Sequence, residues 1–297
     1  MKIYQFDRSV IIHFGLGLIG SSFYRMLSDF KTPLVEATFQ IDWQNPDIAE
    51  AISYLNNKLL DKERNFKVQI LWTAGKAGFS ADASQTQFEL KNFKIILGKL
   101  AEELSTKCQL ELFFLSSAGG LYEGQTQIGS DSIANPKRHY GYLKLEQEIY
   151  INSIVEHFKK VLIVLPSSVF SIQRSVGRRG LINTLIENAQ SGKVSQIFGD
   201  PTTLRDYVLD DDVSELLLRK MFDTEGKMKF ERIIIASGIP VSISDIVKRL
   251  ELIVGKPLYL RYTPIKYNAQ HITYNPNSVS RGKRSRELDY LLRKAIQ

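Results

Sequence analysis

A doubly wound parallel β-sheet, covered by helices on both faces, is the fold class that this sequence predicts. Two observations carry the prediction. Short apolar runs alternate with helix-patterned segments: strands are expected near 9–14, 34–41, 67–73, 110–116, 161–166 and 231–236, and helices near 18–29, 47–62, 86–104, 138–157, 180–190, 212–222 and 243–253. Such alternation buries a parallel sheet on both sides. The first of these strands also runs straight into a glycine-rich turn and then a helix. The chain has 297 residues, 43% hydrophobic and 24% charged, which fits one large or two coupled domains with ample core.

The opening unit is the most specific. Val10-Ile11-Ile12-His13-Phe14 reads as a buried strand, Gly15-Leu16-Gly17-Leu18-Ile19-Gly20 follows at once, and Ser21 to Leu27 continue as a helix. In strand, Gly-x-Gly-x-x-Gly, helix, the first glycine permits a tight turn. The second lets a pyrophosphate approach the backbone, and the third packs helix on strand. Gly15, Gly17 and Gly20, with Leu18 and Ile19 between them, are therefore candidate dinucleotide contacts. Thr73-Ala74-Gly75, at the end of the 67–73 strand, are expected beside them.

Between Gly20 and residue 67 only one convincing strand is found, Leu34 to Ile41, followed by Asp42. Asp42 is read either as the acid that binds the adenosine ribose, although it lies late for that role, or as a turn residue before Asn45-Pro46. No Arg or Lys lies between 32 and 57 to grip a 2′-phosphate. NAD is thus favoured, with NADP not excluded.

Three further segments carry chemistry. Leu112 to Leu115 end a strand in Ser116-Ser117-Ala118, and strand ends bear ligand contacts in open α/β sheets. Tyr140 and Lys144 lie four apart, on one face of a helix. An ammonium lowers the pKa of a nearby phenol, so such a pair suits proton transfer to or from a substrate hydroxyl. Gly199 to Val213 delivers Arg205, a strand, and Asp212, which is expected to cap the next helix.

The bulk properties narrow the field. No apolar run approaches the roughly 18 residues that span a bilayer. Asp7 and Arg8 precede a short strand-like run, unlike a signal peptide. The single Cys108 has no disulfide partner within the chain, which suits a reducing cytoplasm, and it is expected to be a buried small apolar residue. Net charge is +7. The excess sits in Lys159-Lys160, Arg178-Arg179 and the stretch Arg281 to Arg286, which is expected to be solvated; nothing in its spacing suggests nucleic acid. The histidines at 13, 139, 157 and 271 are scattered, so no metal site is expected; His139 and His271 remain candidates for the substrate cleft.

As a set, these segments resemble the extended short-chain dehydrogenase/reductases of the NAD-dependent epimerase/dehydratase family, from about residue 9 to about residue 280. Ser116-Ser117…Tyr122 resembles the strand-end Ser-Ser…Val-Tyr-Gly motif, and Tyr140-Gly141…Lys144 the Tyr-Gly-x-x-Lys motif. Pro166 to Phe170 resembles the Arg-Pro-x-Asn-x-Tyr-Gly strand end, and Arg205-Asp206-Tyr207 the Arg-Asp-Tyr segment. Asn92, read as the start of a helix from Phe93 to Leu104, fits the Asn before the nucleotide-side helix. The departures are Phe14 where the usual first glycine stands, Leu165, Ser168 and Ser171 in place of Arg, Asn and Gly, and Gly119-Gly120 in place of the Asp-Glu of dehydratases.

The resemblance implies a Rossmann-type sheet over 1–166 and 204–238, with a smaller, discontinuous C-terminal substrate-binding lobe over 167–203 and 239–297. It implies Ser117, Tyr140 and Lys144 as the catalytic group, with Tyr140, Lys144, Asn92 and Pro166 also meeting the cofactor. Asp42 gains a third reading, as the acid that approaches adenine. Ser117, Ala118, Ser168 and Arg205 are implied to meet a nucleotide-sugar substrate, Arg205 through its diphosphate. The implied activity is NAD-dependent epimerisation. Reduction of a keto nucleotide sugar and a silent dinucleotide-binding regulator are the alternatives, and a homodimer is compatible with all three.

Overall fold

The computed structural model describes residues 1–6, 9–30, 35–59, 66–173, 180–223, 228–263 and 270–296. Asp7, Arg8, Leu34, Arg178-Arg179 and positions 60–62 of the second expected helix lie outside the described residues. Eight strands form the main sheet. In chain order they are β1 (Lys2–Phe6), β2 (Ser9–Phe14), β3 (Val35–Thr38), β4 (Lys67–Trp72), β5 (Gln109–Leu115), β6 (Lys160–Pro166), β11 (Phe230–Ala236) and β14 (Ser280–Arg281). Shorter strands pair outside it: β7 (Ser168–Phe170) with β10 (Tyr207–Leu209), β9 (Leu204–Arg205) with β12 (Val241–Ser242), and β8 (Ser195–Phe198) with β13 (Leu260–Thr263).

The sheet order is β14-β11-β6-β5-β4-β2-β1-β3. From β14 to β2 every pairing is parallel. The far edge departs from the expected parallel sheet. β1 runs antiparallel to β2, and β3 antiparallel to β1. Phe6 pairs with Ser9, so two residues separate β1 from β2, and a connection that short permits only an antiparallel pair. The strand expected at 34–41 is thus pushed to the outer edge by Lys2–Phe6, which the sequence reading left unassigned.

Helices cover both faces. Helices α2 (Ala49–Leu59), α3 (Ala83–Leu104) and α5 (His139–Ser153) bury Leu55, Phe93, Ile96, Leu100 and Ile151 against Ile12, Ile70 and Leu112 of the sheet. Between β5 and α5 lies the short α4 (Ala118–Leu121). On the other face α1 (Leu18–Phe30) and α7 (Asp210–Met221) bury Phe23, Leu27, Val213 and Leu217 against Ile11, Leu71 and Val164. A third core joins α6 (Leu181–Ser191), α8 (Ile243–Val254) and α9 (Leu288–Ile296) through Leu185, Ile246, Leu250 and Leu292. Among the described residues no helix is long and apolar enough to cross a membrane.

Two helix starts differ from expectation. Helix α3 begins at Ala83, not 86, because Asp82 and Gln85 form a reciprocal capping box. Asn92 therefore lies inside this helix and not before it. Helix α7 begins at Asp210, with Leu209 as its cap residue, so Asp212 is not the cap. The Asp212 carboxylate instead accepts from the Ser285 N–H and hydroxyl and from the Arg284 N–H. Together with the β11–β14 pairing and an Arg284–Glu215 ion pair at 2.7 Å, this binds the C-terminal basic stretch to the fold. Arg281, Lys283 and Arg284 nonetheless stay exposed, so the stretch is anchored through its backbone and Ser285 while its charges face solvent.

One buried carboxylate organises the sheet's carboxyl end. Asp206, 1% exposed, accepts from the Ser167 hydroxyl, the Ser237 N–H and hydroxyl and the Gly238 N–H, each at 2.8 Å, and from the Ile239 N–H at 3.2 Å. Each buried donor left without a partner costs about 1–3 kcal/mol. Asp206→Ala is therefore expected to destabilise the fold by more than about 3 kcal/mol in urea unfolding; a loss under 1 kcal/mol would show that water replaces the carboxylate.

A second acid carries the opposite prediction. Burial raises the Asp210 carboxyl from the ordinary 3.8 to about 7, although the Ser171 hydroxyl and Arg25 act against the shift. A carboxyl with a raised folded pKa confers its full stability below the unfolded value and loses it as pH rises through the folded one. Asp210→Asn should therefore gain stability over the parent between about pH 4 and pH 7, by roughly 1.4 kcal/mol or less per pH unit. A difference that stays flat over that window in paired melts refutes the assignment.

Candidate active site

The segments singled out in the sequence meet at the carboxyl ends of β2, β4, β5 and β6. The glycine loop leaves β2 and is held from the β4 side. The Thr73 N–H donates to the Phe14 carbonyl at 2.8 Å, and the Thr73 hydroxyl contacts the carbonyls of Phe14 and Gly15 at 2.9 and 2.7 Å. Beneath, His13 Nε2 lies 3.0 Å from the same hydroxyl. Burial lowers His13 to about 3, so its ring is neutral at neutral pH.

The three glycines of the loop have different reasons. Gly15 sits at φ +93°, and a Cβ there would lie 2.5 Å from the Ala74 backbone. A Cβ on Gly20 would lie 2.0 Å from the Gly15 carbonyl oxygen. A Cβ on Gly17 would meet nothing within 4 Å, and its φ is not positive. Gly192 and Gly255 also face open space, but they end α6 and α8 at φ +67° and +74°. The fold thus gives no reason for glycine at 17, whereas a cradle for phosphate at the start of α1 does. Leu18, half-buried, opens α1, and Ile19 is buried under it.

The other expected cofactor residues lie around this loop. The Trp72 indole donates to the Ala74 carbonyl at 3.1 Å. A Cβ on Gly75 would meet Glu89, whose other carboxylate oxygen accepts from the Lys76 and Ala77 N–H groups at 2.8 Å. Asn92, buried, donates to the Trp43 carbonyl at 2.6 Å and so anchors the loop after β3. Asp42, exposed, accepts from the Gln44 N–H in a local turn. Pro166 is the buried last residue of β6.

The expected proton-transfer residues come together where α4 meets α5. A Cβ on Gly141 would lie 2.3 Å from the Gly120 carbonyl oxygen, and one on Gly120 would lie 3.1 Å from the Tyr140 ring. Small residues at 119–120 and 141 therefore let Tyr140 settle over the strand end. Lys144, 5% exposed, lies 6.0 Å from the Tyr140 ring centroid and donates to Gln147 Oε1 at 3.1 Å and to the Leu115 carbonyl at 3.4 Å.

The two serines are separated by what their hydroxyls do. The Ser116 hydroxyl is buried and donates to Glu148, whose other oxygen takes Arg232 Nε at 2.8 Å; Arg232 also donates to the Tyr122 hydroxyl at 2.7 Å. Ser117 is half-buried and caps α4, its oxygen accepting from the Gly120 N–H at 3.2 Å. Its own O–H is left to donate. Ala118, expected to line the substrate, has its methyl fully buried in the first core. The first residue of α4 turns its side chain inward, which leaves its backbone as the part that can meet a ligand.

Beyond Tyr140 runs a chain of contacts that the sequence did not reveal. Phe79 lies 5.4 Å from the Tyr140 ring, and the Arg138 guanidinium lies 5.3 Å from the Phe79 ring. Arg138 forks onto buried Glu123, at 2.6 Å for the ion pair and 2.8 and 3.1 Å from Nε. Arg205 feels Glu123 and Arg138, is lowered chiefly by burial, and donates to the carbonyls of Leu204 and Gln270. Glu123 and Arg138 flank the motifs by one and two residues, which is the signal that names them. Phe79 has none. Ser168, half-buried, donates its N–H to the Asp206 carbonyl at 3.1 Å. His271 Nδ1 accepts the Leu204 N–H at 2.9 Å, and His139 is exposed at the start of α5. Among the described residues no cluster suits a metal ion.

The glycine loop generates a paired test. Gly17→Val should fold like the parent by circular dichroism yet lose nicotinamide-dinucleotide binding. Gly20→Val should instead lose melting temperature, because its Cβ has no room. Equal loss of fold in both variants would remove the distinction.

The chain matches the model of the NAD dependent epimerase/dehydratase family over residues 34–236. The match begins past the glycine loop and the β1–β2 hairpin. A UDP-glucose 4-epimerase of Mycolicibacterium smegmatis is 24% identical over 163 residues, covering 54% of this chain and 51% of that one, so the chain spans about half the length of that curated relative. Two solved structures share the fold across nearly the whole chain. The UDP-glucose 4-epimerase of Thermus thermophilus, in complex with NAD, gives a TM-score of 0.74 at 16% identity, covering 96% of this chain and 97% of that one. The UDP-N-acetylglucosamine 4-epimerase of Methanobrevibacter ruminantium, in complex with UDP-N-acetylmuramic acid, gives 0.75 at 15%, covering 100% and 98%. With the glycine loop, the Ser117–Tyr140–Lys144 corner and the family match in place, this chain belongs to the NAD-dependent epimerase/dehydratase family.

Proposed function

We propose that the protein is a nicotinamide-dinucleotide-dependent epimerase of a nucleotide sugar. The observation that carries the reading is the corner at α4 and α5. Ser117 keeps a hydroxyl proton to donate, Tyr140 lies over the strand end, and the buried Lys144 ammonium stands behind the Tyr140 ring. The glycine loop at the same end of the sheet fits the cofactor's pyrophosphate, with Gly17 as the open cradle.

The steps follow from these residues. Ser117 donates to the reacting sugar oxygen and fixes it near Tyr140. Tyr140 removes the hydroxyl proton and later returns it, the acid–base work that a positioned phenol performs. Lys144 places a positive charge where negative charge develops on oxygen, and its bonds to Gln147 and Leu115 hold it there. When bound, the nicotinamide would take up and give back a hydride. Epimerisation needs no net oxidant, in keeping with NAD as a retained group. Arg205 supplies the charge for the diphosphate, while Arg138, held by Glu123, bounds the sugar side.

The test uses purified protein with UDP-, GDP-, dTDP- and CDP-sugars. Tyr140→Phe should lower turnover by about 10²–10⁴-fold with cofactor still bound, and Ser117→Ala by less. Arg205→Ala should weaken nucleoside diphosphate binding by about 1.5–3 kcal/mol in calorimetry and leave NAD affinity unchanged. Binding of none of the four nucleoside diphosphates at millimolar concentration would overturn the substrate class. Stoichiometric loss of reduced cofactor with a keto sugar would move the assignment to a reductase.

A further inference from the structure

Gln147 is fully buried on α5, one turn past Lys144, and its amide is only half satisfied. Oε1 accepts from the Lys144 ammonium at 3.1 Å, whereas Nε2 has no partner among the described residues. An ammonium only donates, so it fixes which end of the amide faces it. The bare Nε2 is the consequence of that bond. A buried donor without a partner destabilises a fold. Met, similar in length and shape, would fill the same space without this penalty. Packing of α5 thus gives no reason for Gln at 147; the ammonium does.

The surroundings of the ammonium show what the amide is for. Its contacts are the Gln147 oxygen, the Leu115 carbonyl at 3.4 Å and the Phe114 ring, whose centroid lies 5.2 Å away. All three are neutral. The Leu115 bond is long for a hydrogen bond, so Gln147 is the main tether. Among the described residues no carboxylate pairs with Lys144, although two acids stand close by on α5. Glu146 is exposed, and Glu148 spends its two oxygens on Ser116 and Arg232. A carboxylate would grip the ammonium more strongly. It would also cancel much of the field that Lys144 exerts at the Tyr140 corner. A neutral acceptor fixes the position and leaves the charge whole.

We propose that Gln147 is a positioning residue: it holds the Lys144 ammonium through a neutral oxygen, so that an undivided positive charge bears on the reacting oxygen beside Tyr140. The proposal rests on the epimerase reading of that corner. It adds a requirement to it, that the acceptor at 147 be uncharged as well as within reach.

Two measurements on the full chain test it. In turnover of the accepted nucleotide sugar, Gln147→Met removes the acceptor and Gln147→Glu replaces it with a charged one. Both should lower kcat by about tenfold or more, with KM within about twofold and bound cofactor unchanged. Parent-like kcat in either variant overturns the proposal, as does a loss carried by KM; an acceptor needed only for structure would be served by the carboxylate. In thermal melts, Gln147→Met should lower the melting temperature of the parent or leave it unchanged. The same change should raise that of Lys144→Met, where both ends of the amide are left bare. The two effects should differ by about 3 °C or more. Equal effects in both backgrounds overturn the tether whatever the activity. Absence of parent turnover on every nucleotide sugar would instead overturn the epimerase reading, while the melts still decide whether Gln147 holds Lys144.

Discussion

The carboxylate of Asp206 is the interaction on which the working end of the molecule depends. Parallel strands β6 and β11 lie side by side, yet their chains leave the sheet at the same end. Past that end the ladder stops, and the N–H groups of Ser237, Gly238 and Ile239 have no strand to bond. A single buried acceptor takes all three, together with the hydroxyls of Ser167 and Ser237. Both exits are thereby fixed to the segment that carries Arg205 and Tyr207. With a cost of about 1–3 kcal/mol for each donor left bare, no neutral side chain of similar size would hold three segments together as firmly.

Beneath the proton-transfer corner a second polar network works differently. Ser116, Glu148, Arg232 and Tyr122 tie β5 to α5 and to β11. A buried ion pair adds little net stability, because desolvation offsets its attraction. Its contribution here is orientation. With the Ser116 hydroxyl committed to Glu148, Ser117 is the serine whose hydroxyl spends only its acceptor, on the Gly120 N–H. The Gly120–Gly141 contact brings α5 close against α4, with the Tyr140 ring beside Gly120. Packing and polar bonding thus select one of two adjacent serines.

Much of this was legible in the sequence because its signals are local. Strand, glycine turn and helix occur within about twenty residues, and Tyr140 and Lys144 are neighbours on one helix. Asp206 stood in view within Arg-Asp-Tyr, but its role is set by donors some thirty to forty residues away. The start of α3 was misread because Asp82 and Gln85 act on each other's backbone, a reciprocal signal that single-residue preferences miss. Strand β1 was missed for another reason. Its five residues include the strand formers Ile3, Tyr4 and Phe6, so the signal stood in the sequence, but a run this short is read as a strand only once its partner is known.

The same strand shows why the fold tolerates so large a change beside its cofactor loop. From the flanking strands, the contacts that hold the loop's turn come from the β4 side: the Thr73 bonds to Phe14 and Gly15, and the Ala74 backbone pressed against Gly15. The loop is therefore braced by the neighbour that the edge strands leave unchanged. Since β2 keeps its parallel partner β4, the pyrophosphate cradle survives whichever strand lies on the other side.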